Sequence, residues 1–196
     1  MDNIANQATL LYNNMTTNSN TVTTQILSLY DLTATKEALL DTYTPNQTIT
    51  YVTRVENTGS ASLYNLTVVD DLAKGLTQYV DNSVEGYLNG TPIEVNVQIT
   101  NNTVIFTIDN VINPNDNVLI IFETTTPTTR PDVLTNTQTI TANGGSTTGP
   151  IVAVTPNPSA SVKLANYVSL DITKSANKAS IYSGDTLVYT FQIINN

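Results

Sequence analysis

The stretch TKEALLDTYTPNQTITYVTRVEN, residues 35–57, recurs without a gap as TKSANKASIYSGDTLVYTFQIIN, residues 173–195. The two copies are offset by 138 positions and keep a lysine at the second position, Lys36 and Lys174. Self-similarity at one long, fixed offset indicates a repeated domain rather than a short motif. Each copy ends in a run rich in Thr, Val, Ile and Tyr, which favour strands, so the repeat is predicted to open with β-structure.

A weaker similarity places part of a third copy at the N-terminus. Residues 6–10 (NQATL) resemble residues 136–140 (NTQTI), which lie near the end of the complete copy. The chain is therefore predicted to hold one whole repeat and pieces of two others, and we expect a neighbouring chain to complete each of these two pieces. The pieces are the trailing strands of an incomplete repeat, which are candidate donor strands (1–29), a complete β-sandwich repeat (30–165), and the leading strands of a second, incomplete repeat (166–196).

The composition argues against most catalytic and nucleic-acid-binding classes. The 196 residues include no His, Cys or Trp. Without His and Cys the chain lacks the commonest general base, any thiolate chemistry and any zinc-thiolate site. A formal net charge of -9 opposes binding to nucleic acid and to anionic membranes. We therefore expect no enzyme beyond a single-turnover autocatalytic reaction, no cofactor, no metal and no nucleic-acid partner.

No apolar run approaches the ~20 residues that a membrane-spanning helix needs, so no membrane insertion is expected. The opening residues MDNI show neither a basic nor an apolar region of a secretory signal.

Short alternating runs predict an all-β fold. The dipeptide Asn89-Gly90 indicates a two-residue hairpin turn. Residues 35–41 (TKEALLD) could favour a helix, but the equivalent residues 173–179 are poor helix formers, and equivalent positions are expected to share a conformation. The pattern predicts an immunoglobulin-like antiparallel β-sandwich repeat with incomplete repeat segments at both termini. Strands are predicted near residues 4–12, 20–29, 32–36, 48–55, 63–70, 84–88, 93–99, 104–108, 118–124, 134–141, 151–154, 162–167, 170–174 and 187–194.

The order of several loose motifs is similar to a known repeat. The motifs are Thr35-Lys36, YTPNQTITY (43–51), VENTG (55–59), VVDDL (68–72), Gly75-Leu76, and Asn136 with Ile140. This series resembles the family catalogued as "domain of unknown function 11", which occurs in tandem on bacterial surface proteins. The resemblance covers essentially the whole chain and implies an immunoglobulin-like sandwich. It also implies an extracellular structural role, on a bacterial cell or spore surface, without enzymatic turnover.

The resemblance also suggests a covalent cross-link, because surface sandwiches of Gram-positive bacteria can form a spontaneous Lys–Asn isopeptide bond assisted by a buried carboxyl group. Lys36 is expected on the first strand of the repeat and Asn136 at the start of the last strand, adjacent to each other. Asp70 is preferred over Asp71 and Glu123 as the assisting carboxylate. The reaction needs a neutral amine, and therefore a lysine whose pKa is lowered by burial. A simpler interpretation leaves the Lys36 ammonium in water, Asn136 as a turn cap and Asp70 on loop backbone.

The repeat offset extends the same hypothesis to the flanking segments. Lys174 matches Lys36 and Asn6 matches Asn136, so these two residues are the expected inter-chain cross-link pair. The leading functional hypothesis is a fibre subunit that forms a head-to-tail homopolymer by strand complementation. The alternative is an adhesin or stalk module that binds a glycan or a protein ligand.

Overall fold

A computed structural model describes residues 3–166 and 170–195 of the chain. These residues form strands, turns and loops, and they include no helix that could cross a membrane. The strands are β1 (Asn3–Asn6), β2 (Thr9–Tyr12), β3 (Met15–Asn18), β4 (Val22–Gln25), β5 (Leu32–Ala38), β6 (Thr42–Tyr43), β7 (Thr48–Asn57), β8 (Leu63–Asp71), β9 (Gln78–Tyr79), β10 (Glu85–Leu88), β11 (Thr91–Ile93), β12 (Asn96–Thr100), β13 (Thr103–Ile108), β14 (Asn117–Thr125), β15 (Val133–Gly144), β16 (Ile151–Ala153), β17 (Ser159–Leu164), β18 (Leu170–Ala176) and β19 (Tyr189–Asn195).

Strands β5 to β17 form two facing sheets. The first sheet has the order β11-β10-β14-β7-β5, with β9 beside β14. The second has the order β12-β13-β8-β15-β17-β6, with β16 beside β15. The pairings are antiparallel except that of β6 with β17, which is parallel because the chain leaves the first sheet after β5 and joins the second at β6.

The core lies between the two sheets and follows from the alternation of each strand. Along β7 every second residue is buried, and the same period runs along β14 and β15. Such alternation places one face of each strand on the core. Three aromatic rings form the centre: Phe122 packs 5.7 Å from Tyr51 and 5.0 Å from Phe106, measured between ring centroids.

Two predicted strands are each two strands in the structure. The predicted strand 4–12 breaks at Ala8, whose backbone N–H donates to the Ser19 hydroxyl, so β1 and β2 pair with different partners. The predicted strand 93–99 divides because β11 belongs to the first sheet and β12 to the second. The sequence did not predict β3, β6 and β9, since pairings of two to four residues are too short to show a period.

Other local predictions agree with the structure. Asn89 and Gly90 have φ angles of 51° and 80° and connect β10 to β11, as the turn type requires. Residues 35–38, which could have favoured a helix, lie in β5. The predicted strand 162–167 starts earlier, as β17, and Tyr167 lies outside the described residues.

The flanking strands form three separate two-stranded sheets, β1–β4, β2–β3 and β18–β19, whose residues are all exposed. Their registers repeat those of the sandwich. Lys174 lies opposite Phe191 as Lys36 lies opposite Thr53, at the same offset of 138. On the other side, β1 and β4 pair as β15 and β17 do, with Asn6 opposite Val22 and Asn136 opposite Ala160.

The segment that leads into β5 is held against one pole of the sandwich. The Ser60 backbone N–H donates to the Leu29 carbonyl at 2.8 Å, and the Leu29 N–H donates to the Ser60 hydroxyl at 3.0 Å. The Tyr30 ring then packs on Gly144, where an added Cβ would lie 2.6 Å from the ring. Position 144 therefore requires glycine for Tyr30, in the linker that leads into β5, to pack against the sandwich.

Candidate functional site

Three polar side chains meet in the apolar space between the sheets. Lys36 is at a core-facing position of β5, in the first sheet. Asp70 and Asn136 are at core-facing positions of β8 and β15, which are neighbours in the second sheet. The alternation that buries Leu32 and Leu134 on these strands also turns Lys36 and Asn136 inward.

One carboxylate oxygen, Asp70 Oδ2, accepts hydrogen bonds from the other two side chains of this cluster. The Lys36 ammonium donates to Asp70 Oδ2 at 2.6 Å, and the Asn136 amide donates to the same oxygen at 3.2 Å. The Lys36 and Asp70 side chains are fully buried. Asp70 Oδ1 and Asn136 Oδ1 make no hydrogen bond with any described residue. Buried polar atoms are normally paired, and these two oxygens are among six buried side-chain oxygens of the described residues that lack a hydrogen-bond partner.

Aromatic rings enclose the lysine. The Lys36 ammonium nitrogen lies 4.9 Å from the centre of the Tyr51 ring and 5.2 Å from that of Phe122. Burial lowers the pKa of Lys36 from 10.5 to about 8, although the charge of Asp70 and its hydrogen bond act in the opposite direction. Burial, followed by the charge of Asp70, raises the pKa of the Tyr51 hydroxyl to about 12. The surroundings therefore favour a neutral amine at much lower pH than water does.

The structure corrects the expected placement of two strands. Lys36 and Asn136 do not lie on adjacent strands of one sheet; β5 and β15 belong to facing sheets, and the side chains meet across the sandwich. The expected contact arises because both residues occupy inward positions near one edge, where β17 packs beside β5. The simpler interpretation, with the Lys36 ammonium in water and Asn136 as a turn cap, is wrong because both residues are buried.

Sequence reasoning missed two members of the cluster, Gln138 and Thr53. The Gln138 amide donates to Asp70 Oδ2 at 2.9 Å, and the Thr53 hydroxyl donates to the Gln138 carbonyl at 2.8 Å. Both residues are fully buried. The period of two along β15 could have found Gln138, because it places Gln138 on the same face as Asn136.

The structure does not bring the second predicted pair together. Lys174 lies on β18 with its ammonium nitrogen 4.1 Å from the centre of the Tyr189 ring, as Lys36 lies over Tyr51. Asn6 lies on β1, in a different two-stranded sheet. Both residues are exposed, because neither of the two-stranded sheets that hold them has a facing sheet among the described residues.

The sandwich is similar to domains of bacterial pilins. The crystal structure of BcpA, the major pilin subunit of Bacillus cereus, superimposes with a TM-score of 0.56 at 12% identity, over 97% of this chain and 66% of that chain. Full-length SpaD, a major pilin of Corynebacterium diphtheriae, gives a TM-score of 0.52 at 16% identity, over 80% of this chain and 40% of that chain. The chain thus spans less than two thirds of either pilin.

The comparisons show the fold and leave the family open. Identities this low support a shared fold only, and the fold is the all-β, immunoglobulin-like sandwich that the sequence predicts, which is confirmed. No protein-family model matches the sequence. No curated protein sequence matches it significantly.

Proposed function

We propose that this chain is a structural module of a bacterial surface fibre, in which an isopeptide bond between Lys36 and Asn136 locks the sandwich. One observation carries the proposal: a single buried oxygen of Asp70 contacts both the amine and the amide that the bond would join. The pilin-like fold supports the fibre role. The resemblance in motif order supports membership of the tandem surface-repeat family "domain of unknown function 11".

The chemistry begins with a proton transfer along the short hydrogen bond. One proton passes from the Lys36 ammonium to Asp70 and leaves a neutral amine beside a neutral acid. A half turn of the Asn136 amide brings Oδ1 to Asp70, where the acid proton polarises the carbonyl. Such general acid assistance is typical of acyl transfer at an unactivated amide.

The amine then attacks the side-chain carbonyl carbon of Asn136. A second proton passes from the Lys36 nitrogen to the Asn136 amide nitrogen, the carbon–nitrogen bond to that amide breaks, and ammonia leaves. Lys36 keeps one N–H in the new amide, and Asp70 keeps the first proton. The Tyr51 and Phe122 rings limit the access of water, which would otherwise compete as the nucleophile.

The fold supplies the remaining acceleration by holding the reactants together. Groups fixed in a reactive arrangement have effective molarities of about 10⁵–10⁸ M, which offsets the low reactivity of an amide. The product would join the two sheets directly, from β5 to β15. A fibre under tension is where such a link is useful, because pulling on the chain would otherwise separate the sheets.

The exposed hairpins support assembly between copies by strand complementation. The apolar residues Ile172, Phe191 and Ile193 occupy positions equivalent to the core-facing Ala34, Thr53 and Val55. We infer that β1 to β4 of a neighbouring copy cover the face of β18 and β19 that carries these three residues, as β15 and β17 lie opposite β5 and β7 in the sandwich. Lys174 of one copy and Asn6 of the other would then face each other.

The bond is tested by peptide mapping. A digest of the wild-type chain is expected to contain a branched peptide joining Lys36 to Asn136, and Asp70→Asn is expected to lose it. The neighbouring Asp71→Asn is the matched control, because Asp71 points outward and pairs with Lys74. A branched peptide in Asp70→Asn, or none in the wild type, would contradict the proposal.

Assembly is tested separately by sedimentation velocity. Phe191→Asp places a charge on the proposed contact face and is expected to reduce association. Gln192→Asp, on the opposite face of β19, is the control and is expected to leave association unchanged. Long polymers that survive both Phe191→Asp and deletion of residues 1–29 would refute strand complementation.

A further inference from the structure

We propose that Gln138 and Thr53 form a positioning pair that holds the Asp70 carboxyl group in place while Lys36 and Asn136 react. This inference rests on the proposed isopeptide bond and adds two residues that act through Asp70 rather than on the reacting atoms. Its basis is a short chain of hydrogen bonds that ends on the reacting carboxylate.

The hydrogen bonds fix the direction of the Gln138 amide. The Thr53 hydroxyl donates to Gln138 Oε1 at 2.8 Å, so the Gln138 amide nitrogen faces Asp70 and donates to Oδ2 at 2.9 Å. Gln138 lies opposite Asp70 across β15 and β8, and Thr53 lies opposite Lys36 across β7 and β5. The pair therefore ties the carboxylate to β15, which carries Asn136, and to β7, the strand that pairs with the Lys36 strand β5.

The reaction itself explains why a third donor is needed. Three groups donate to Asp70 Oδ2, but two of them change during the reaction: Lys36 gives up two protons, and Asn136 turns and loses its amide nitrogen. Gln138 alone of these three keeps its hydrogen bond throughout. Displacing a catalytic group by about 1 Å can lower a rate by about 100-fold, so loss of the hydrogen bond from Gln138 to Asp70 is expected to slow the reaction.

The internal repeat separates this role from folding. At the positions of Gln138 and Thr53 the flanking copies carry Ala8 and Phe191, although both copies keep the reactive types, Asn6 and Lys174. The β18–β19 register is nevertheless the same as that of β5–β7. The hairpin geometry of β18 and β19 therefore forms without the Thr53 hydroxyl.

The test uses side chains of matched shape in the full chain. Thr53→Val and Gln138→Met keep the volume and remove the hydrogen bond, while Thr53→Ser restores the hydroxyl. Thr33→Val and Gln98→Met repeat the same changes at exposed positions of β5 and β12. The chain is made by cell-free synthesis, samples are quenched in acid at intervals, and the loss of ammonia is followed by intact mass across a range of pH.

A positioning role predicts that Thr53→Val and Gln138→Met close about 10- to 100-fold more slowly than the wild type. The midpoint of the pH–rate profile is expected to stay unchanged, since the lysine environment is retained. Thr53→Ser keeps the hydroxyl that donates to Gln138, and the two controls change only exposed side chains, so all three are expected to close within about twofold of the wild type. If Gln138→Met does not fold cooperatively, the comparison of Thr53→Val with Thr53→Ser still tests the positioning role.

Three results would overturn the inference. Wild-type rates in Thr53→Val and Gln138→Met would show that the pair does not position Asp70. Ammonia loss that persists in Asn136→Ala and disappears in Gln138→Met would make Gln138 the acceptor of the bond. A wild-type chain that never loses ammonia would refute the proposed isopeptide bond as well as the positioning pair. In the first two results the wild-type chain still loses ammonia, so the outcomes can be told apart.

Discussion

Replacing Asn136 with Ala removes the carbonyl carbon that the cross-link needs and leaves its other participants in place. Asp70 keeps the Lys36 ammonium at 2.6 Å and the Gln138 amide at 2.9 Å, so no buried charge loses its partner. The variant therefore isolates the contribution of the covalent bond more cleanly than a change at Lys36 or Asp70, which would leave one charge unpaired.

The loop that the bond closes sets the size of the effect. Joining Lys36 to Asn136 closes about 100 residues, and the chain-entropy treatment of cross-links gives about 4.7 kcal/mol for a loop of that length. The lost hydrogen bond from Asn136 to Asp70 adds about 1 kcal/mol. For a chain of this size, the combined loss of about 6 kcal/mol corresponds to a fall in Tm of roughly 12–24 °C.

The assay is thermal unfolding followed by circular dichroism, with the intact mass of each sample measured in parallel. Asn157→Ala is the control, because Asn157 is exposed and makes only a 3.3 Å hydrogen bond to Thr139. Asn136→Ala is expected to have the full sequence mass and a Tm lower by the amount above, whereas the control matches the wild type. A Tm within about 3 °C of the wild type corresponds to a loss of less than about 2 kcal/mol in the free energy of unfolding, and it would show that no stabilising cross-link is lost with Asn136.

Three further predictions concern the same sandwich. In the Asn136→Ala background, folding lowers the pKa of Lys36 from 10.5 to about 8, so the unfolded chain binds more protons than the folded chain between these two pH values. Denaturant titrations should therefore show the free energy of unfolding rising from about pH 8 to about pH 10.5, and a flat profile would contradict this. In that background Lys36→Met leaves Asp70 buried without its cation and is expected to lower the free energy of unfolding by about 3–5 kcal/mol, whereas the exposed Lys163→Met changes it little. Gly144→Val drives a side chain into the ring that packs on it and is expected to lower the Tm by overpacking worth about 1–3 kcal/mol; an unchanged Tm would show that the linker does not dock there.

The fold was predictable because its main signals are local and repeated. The alternation along β7, β14 and β15 is visible in the sequence, and the duplicate of residues 35–57 excluded a helix that one copy alone could suggest. The strand breaks at Ala8 and between β11 and β12 were not predictable. Each depends on which sheet the chain joins next, a tertiary property that no local pattern records.

The candidate site was predictable in its members and not in its arrangement. Lys36, Asp70 and Asn136 stood out through the repeat and the family resemblance, and the structure brings all three together. They meet across facing sheets because β5 belongs to the first sheet and β8 and β15 belong to the second, a tertiary property that no local pattern records. Gln138 and Thr53 were missed because a buried amide and hydroxyl resemble ordinary strand residues until their partners are known.

The most direct test of the proposed bond is the intact mass of the wild-type chain under denaturing conditions. Formation of the Lys36–Asn136 bond releases one ammonia, so we expect a mass about 17 Da below that of the sequence, as for one completed acyl transfer. Asp70→Asn is expected to show the full mass in the same experiment. A wild-type chain with its full sequence mass would show that the Lys36–Asn136 bond does not form and that the cluster is a buried ion pair.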